Sequence, residues 1–431
     1  MRVVVVGAGI SGLTCGAALT DAGIDVTVHE ARHRLGGRTW TADIGGAPVD
    51  LGGSWIHGPH HNPLADYCRT AGFGWHNDGN WGTGMYGYDP AGRLIDSPTA
   101  STVVAARSDF DPAQAADRLG EGATFDQAVD WYLADRNLTG AVGDAVAYNL
   151  RYLDGGLNIG APPGQISVRG AAEYSDHGGG NLMLAGGYRT LVEHLAAPLD
   201  ITLSSPVVAV EDLTGSVIVS TAAGSVRADR VIVTVPLPVL RSIMFAPGLP
   251  PTITGAMGRL RLSTVEKAVL RYDQRWWPDD LRRITWLHPD HIYPTWTDVS
   301  RSVGSPTLVG FVNPTLATAL PPTPDERSAV ARDVVDRLIG PGPEPVAIHT
   351  TDWANDPYSL GSYSYIPTGA TAADMRAFHH RVGNVSFAGE HTVPEHFGTV
   401  HAAFMSGMRA AADLVGRPID TVGGVPVAWP R

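Results

Sequence analysis

Lysine is almost missing from this chain. Of 31 basic residues only Lys267 is lysine, and the rest are arginine. Abundant Ala, Gly and Pro accompany the shift, the pattern of a GC-rich coding bias that replaces lysine wherever charge alone is needed. Arginine keeps its proton in a protein, whereas a desolvated lysine can release it. On composition alone Lys267 is therefore either a statistical leftover or a position held for proton chemistry. Cysteine is as scarce: Cys15 and Cys68 are the two present, and Cys15 falls within the first apolar helix. That excludes a disulfide framework and leads to the expectation of a reducing, cytoplasmic setting. No basic run occurs and the formal charge is -12, which removes the electrostatic driver of nucleic-acid binding and mildly favours a cationic ligand. No stretch reaches the roughly 20 apolar residues of a membrane span. The opening Met1-Arg2-Val3 runs into a buried strand without a signal-peptide cleavage site.

What is present is the balance of a packed enzyme: 431 residues, 17% charged, 44% hydrophobic, with 11 Trp. This length predicts two domains. Residues 1–58 read as a strand at 2–6, a Gly turn, a helix over 11–22 stopped by Gly23, a strand at 25–30 and a Gly-rich loop, a βαβ opening. From 80 to about 172 the pattern is helical, as at 124–137, with no strong strand signal. A helix follows at 188–196, then short strands near 201 and at 207–210, 216–221 and 231–235. Strands resume at 263–272 and 308–312, followed by a helix over 324–339 and a strand, Gly-Glu turn and long helix across 384–415. Two characters alternate, predicting one domain over 1–80, 181–262 and 378–431, interrupted by a second over 81–180 and 263–377 with a largely helical insertion.

The motif Gly7-Ala8-Gly9-Ile10-Ser11-Gly12 directly follows a strand and opens a helix, and Glu30 closes the next strand. The first glycine makes the turn, the second lets backbone approach a pyrophosphate at a helix N-terminus, and the acid can bind ribose hydroxyls. This α/β Rossmann-type unit fits NAD or FAD equally. The text after Glu30 separates them. Ala31-Arg32 and Leu35-Gly36-Gly37-Arg38-Thr39, then Asp50-Leu51-Gly52-Gly53-Ser54-Trp55-Ile56-His57-Gly58, resemble the flavin-contacting loops of the flavin-containing amine oxidases. Later segments resemble that family in the same order: Gly186-Gly187-Tyr188, Val231 to Pro236, Trp353 with Pro357-Tyr358, Gly361-Ser362-Tyr363-Ser364, and Phe387-Ala388-Gly389-Glu390-His391. Trp55-Ile56-His57-Gly58 is similar to the spermine-oxidising polyamine oxidases.

The resemblance implies an FAD-binding domain interleaved with an α+β substrate domain, non-covalent FAD because Ser362 follows Gly361 where covalent relatives carry cysteine, and oxidation of an amine with O2. A monomer or homodimer is expected. Besides the motif residues, it implies cofactor contacts from Gly53, Ser54, Trp55, Val208, Trp353, Gly389, Glu390, Thr399 and Val400. Lys267 would hold a water at flavin N5, and strand alternation places it on one face with Val265 and Val269. His57 would orient the amine or accept its proton. Tyr363 would form one wall of the amine site, with Thr399 where a second ring stands in monoamine oxidases. The final helix would direct its N-terminus at the flavin. Two rivals remain open: an L-amino-acid oxidase, whose arginine clamp is replaced here by Trp55-Ile56, and a natural-product oxidase or desaturase. His57, His60 and His61 match no metal-ligand spacing, so no metal is expected.

Overall fold

The computed structural model describes residues 1–79 and 85–427. The domain boundary expected at residue 80 lies outside the described residues. Five parallel strands form the central sheet, in the order Val385–Phe387, Arg230–Val233, Arg2–Val6, Asp25–His29 and Asp200–Thr202. Val3 to Val6 are almost fully buried because both faces of this sheet are covered. Alternation divides them. Val3 and Val5 pack with Leu13, Phe404 and Met408 of the first and last helices, Ile10–Asp21 and Val400–Val415. Val4 and Val6 face Val210, Val217 and Val219 of a four-stranded sheet built from Val207–Leu213, Ser216–Thr221, Gly224–Ala228 and Met244–Ala246.

A six-stranded mixed sheet forms the second layer, in the order Ala347–Thr350, Lys267–Arg271, Thr307–Phe311, Thr295–Asp298, Arg283–Trp286 and Met85–Tyr88. The chain thus has the mixed α/β architecture of a nucleotide-binding sheet interleaved with a second sheet. The strand expected over 263–272 is shorter than that. It begins at Lys267, because the Val265 N–H is drawn to Ser362 Oγ at 2.6 Å rather than into a ladder. The region read as strandless contains Met85–Tyr88, paired in parallel with Arg283–Trp286. Most of the rest of that insertion is helical: Ser97–Asp109, Pro112–Leu119, Phe125–Asp135 and Gly140–Tyr148. Asp96, Asp111 and Thr124 cap the first three by accepting backbone N–H groups. The last of them runs into a π-helix, Asn149–Ile159.

No helix among the described residues is long and apolar enough to cross a membrane. Cys15 and Cys68 are free and buried.

Candidate active site

A cavity of about 770 Å³ runs from the Gly turn of the parallel sheet to the ends of the four inner strands of the mixed sheet, at Lys267, Arg283, Thr295 and Phe311. Its walls contain nearly every residue singled out above: Gly7, Gly9 and Ser11 of the turn, Glu30 to Arg32, Gly36 to Arg38, Gly53 to Trp55, His57, Val208, Lys267, Trp353, Tyr363, Gly389, Glu390, Thr399 and Val400. Among the residues expected to contact cofactor or amine, Gly12 alone is absent from the walls. A Cβ at Gly12 would lie 1.9 Å from the Gly7 oxygen, so this glycine lets the helix pack on the turn and does not face the cavity. At Gly9 the opposite holds. Its φ of -76° is open to any residue, and a Cβ there would meet nothing within 4 Å.

The turn end is organised for a dinucleotide. Glu30, buried, accepts the Ala8 N–H at 2.7 Å and the Arg32 N–H at 2.9 Å, bracing the turn against the next loop. Arg32 forks onto Asp356 at 2.7 and 2.6 Å and reaches Ser359 Oγ at 2.8 Å. Burial works against the Asp356 carboxylate, but hydrogen bonding and the charge of Arg32 outweigh it and hold its pKa below the usual range. The Gly36 N–H donates to the Ala8 oxygen, and Gly37 lies against Gly9, so the two glycine turns touch.

Glu390 ties the middle together. Its carboxylate accepts Arg38 at 2.9 Å, Ser364 Oγ at 2.5 Å and the Gly398 N–H at 2.8 Å. Burial raises the pKa of this carboxyl, yet Arg38, His391 and these donors together bring it below its ordinary value. The adjoining helix Val400–Val415 is N-capped by Thr399, which accepts the Ala402 N–H, and it crosses the first helix where Gly407 meets Ser11. Its N-terminus therefore opens at the cavity. The Trp353 indole donates to the Leu51 oxygen at 3.2 Å.

Lys267 is buried among Val265, Val269, Trp55 and Phe311. Its Nζ donates to the Gly52 oxygen at 2.5 Å, Ser54 Oγ at 2.6 Å and the Asp50 oxygen at 3.1 Å. An ammonium has three N–H groups, and all three go to one loop. These bonds anchor the loop of Asp50, Gly52 and Ser54 to the Lys267 amine, and Gly52, Ser54 and Lys267 all line the cavity. Burial pushes the Lys267 ammonium toward losing its proton and the neighbouring Asp50 carboxylate toward gaining one, with each charge opposing the shift of the other.

His57 Nδ1 lies 2.6 Å from Asn181 Oδ1, which places the proton on Nδ1 and leaves Nε2 as an acceptor. Burial lowers its pKa against the pull of Asn181 and Asp176. Tyr363 donates its hydroxyl to the Leu157 oxygen, so the π-helix fixes this wall. Leu157, Asn158, Tyr174, Asp176, Asn181, Arg283 and Phe311 also line the cavity. The sequence reading missed all seven, and no local spacing marks any of them.

The residues fit FAD. Open space stands over Gly9 at a helix N-terminus, where a pyrophosphate needs it, glycine backbones line the wall beyond, and neither cysteine borders the cavity. The sequence profile described as "Flavin containing amine oxidoreductase" matches residues 10–94 and 153–415. The chain belongs to this family. This amine oxidoreductase is 29% identical over 430 residues to probable polyamine oxidase 4 of Arabidopsis thaliana, covering 95% of this chain and 86% of that one. It is 31% identical to lysine-specific histone demethylase 1 homolog 2 of the same plant, covering 96% of this chain and 58% of the other. Among solved structures it superposes on a putrescine oxidase bound to putrescine with a TM-score of 0.82 and 24% identity, over 97% of this chain and all of that one. It is an FAD-dependent amine oxidase. When bound, FAD would supply at N5 the acceptor for hydride from the carbon beside the amine nitrogen, and would pass the two electrons on to O2.

Proposed function

We propose that this enzyme oxidises a polyamine, cleaving it to an aldehyde and a shorter amine, with FAD held non-covalently. The observation that carries this reading is Asp176. It lines the cavity near His57, is exposed to solvent, and has no arginine or lysine ion-pair partner among the described residues. Its Oδ1 accepts only the Gly178 N–H, at 2.9 Å. A carboxylate so placed suits the distal ammonium of a chain whose reacting nitrogen lies deeper. The polyamine oxidases among the relatives support the same class.

In this reading residues 1–80, 181–262 and 378–431 bind FAD, while 81–180 and 263–377 bind the amine. His57 accepts a hydrogen bond from the incoming amine on Nε2 and orients it, so that hydride departs from the neutral amine. Tyr363 and Thr399 flank the reacting carbon, giving one aromatic wall rather than two. Lys267 fixes the loop of Gly52 and Ser54 that borders the reaction. Burial of the two free cysteines suits a cytoplasmic chain, acting as monomer or homodimer.

The test is anaerobic mixing of the flavin-loaded protein with spermine, spermidine, monoamines and amino acids while flavin absorbance is followed. Bleaching by the polyamines is expected, and Asp176→Asn should raise KM for them about tenfold, roughly 1.4 kcal/mol, without raising it for a monoamine. Bleaching by amino acids alone would overturn the proposal.

A further inference from the structure

Three histidines from distant parts of the chain meet beside the cavity. His177 comes from the loop before the strand Asn181–Leu184, His396 from the segment before the last helix, and His401 from its first turn. One ring nitrogen of each lies within 4.8 Å of the others, the only such group among the described residues. The rings of His177 and His396 stack with centroids 4.4 Å apart and planes inclined at 27°. His401 stands edge-on to both, at 5.5 and 5.1 Å.

The hydrogen bonding of the trio is incomplete in one direction. His396 Nδ1 donates to the Ser175 oxygen at 3.0 Å, which fixes its tautomer and leaves Nε2 with a lone pair. Such a bond on the far nitrogen is the usual orienting contact of a metal-bound imidazole. Nε2 of His177 and Nε2 of His401 are both buried with no hydrogen-bond partner. Buried polar atoms without partners are costly and call for an explanation. Packing three imidazoles together without an acid among them gives no benefit that apolar side chains would not give better.

We propose that His177, His396 and His401 form a binding site for a divalent transition-metal ion of the imidazole-preferring class, with Zn²⁺ the leading member. Zinc–nitrogen bonds of roughly 2.0–2.1 Å set tetrahedral ligand atoms about 3.4 Å apart, so closing the site takes side-chain rotations that move the nitrogens by about 1 Å. Imidazole ligands suit Zn²⁺, Cu²⁺ and Ni²⁺ over Mg²⁺ or Ca²⁺. Asp176, next to His177, supplies nearby negative charge that acts on His177 and His396. The fourth position falls to water. The expected histidine ligands, had any been chosen by sequence proximity, would have been His57, His60 and His61; none of them belongs to the trio.

The test of this site depends neither on the amine nor on flavin turnover. The purified holoenzyme is equilibrated with Zn²⁺, freed of loose metal by gel filtration and assayed for zinc by atomic emission, with Co²⁺ substitution read by its visible d–d bands. One zinc per chain and a tetrahedral cobalt spectrum are expected. His177→Gln and His401→Gln should each weaken binding by at least the roughly 10–100-fold that losing an outer-shell partner costs, whereas His380→Gln, exposed and outside the trio, should not change it. Absence of retained zinc and of a cobalt spectrum in the unaltered protein would overturn the proposal, as would equal retention in a folded His177→Gln variant. Should His401→Gln fail to fold, the half-buried His177 and the cobalt spectrum of the unaltered chain decide the matter.

Discussion

Replacing Gly9 by alanine separates the ligand role of the glycine motif from its structural role. The backbone at Gly9 has φ -76° and ψ 174°, extended geometry that alanine adopts freely, and the added methyl meets no protein atom within 4 Å. Stability of the flavin-free chain should therefore change by no more than about 0.5 kcal/mol, or rise slightly, because alanine loses less chain entropy on folding. The methyl instead occupies the space over the helix N-terminus where the pyrophosphate must approach. Losing one or two charge-assisted hydrogen bonds, at about 1.5–3 kcal/mol each, predicts FAD binding weaker by roughly 10–10⁴-fold. Gly12→Ala is the contrast: its Cβ would sit 1.9 Å from the Gly7 oxygen, so the fold itself should fail. The assay pairs thermal unfolding of both apo-proteins with FAD titration followed by flavin fluorescence. A Gly9→Ala protein that binds FAD as tightly as the unaltered chain would refute the placement of the phosphate cradle.

Other consequences can be measured directly. Lys267→Met removes the single group that holds three acceptors of the loop at 50–54, and rapid mixing should show flavin reduction slowed about 100-fold, the scale of a 1 Å misplacement; unchanged rates in both half-reactions would sink the assignment. Arg32→Ala breaks the fork to Asp356 and Ser359, and FAD titration should report affinity lower by roughly 10–100-fold, with Arg32→Lys a poor substitute because lysine cannot fork. Burial pushes His391 down to about 4, against an opposing pull from Glu390. Since the unfolded ring titrates near 6.5, the unfolded chain binds the extra proton first as pH falls through that window. Stability should then drop by about 3 kcal/mol in all and level off below the folded pKa. Urea unfolding of the unaltered chain and of His391→Gln on both sides of the window should show a loss smaller by about that amount in the variant, the remainder coming from other buried histidines such as His57 and His401.

The parts of this site that can be read from sequence are those built by neighbours in the chain. Gly7 to Gly12 with Glu30 declare a strand, a turn and a helix because their spacing is local, and Lys267 stands out by scarcity. Asp176, Asn181 and Arg283 carry no such mark, since each reaches the cavity only after distant strands pair. The strands Arg283–Trp286 and Thr295–Asp298 escaped for a different reason: each has only four residues, too short a run for a period to stand out, and buries polar Arg283, Thr285, Thr295, Thr297 and Asp298 that read as loop residues. Gly12 was assigned to the ligand when its work is helix packing, a distinction that depends on which way a missing Cβ would point. The histidine trio spans residues 177 to 401 and could not be anticipated from any motif.

The sheet order of this protein also bears on its synthesis. The strand Arg2–Val6 lies beside Arg230–Val233, which in turn lies beside Val385–Phe387, and the cavity over the first glycine turn is closed by the helix Val400–Val415. At roughly 5–20 residues per second, about 20–80 s separate the appearance of the first wall of this cavity from that of the last. The nascent chain therefore carries a half-built nucleotide site for most of translation. Flavin can be captured tightly only once the last helix has left the ribosome, so a cell short of flavin should accumulate a full-length but unloaded chain rather than stalled fragments.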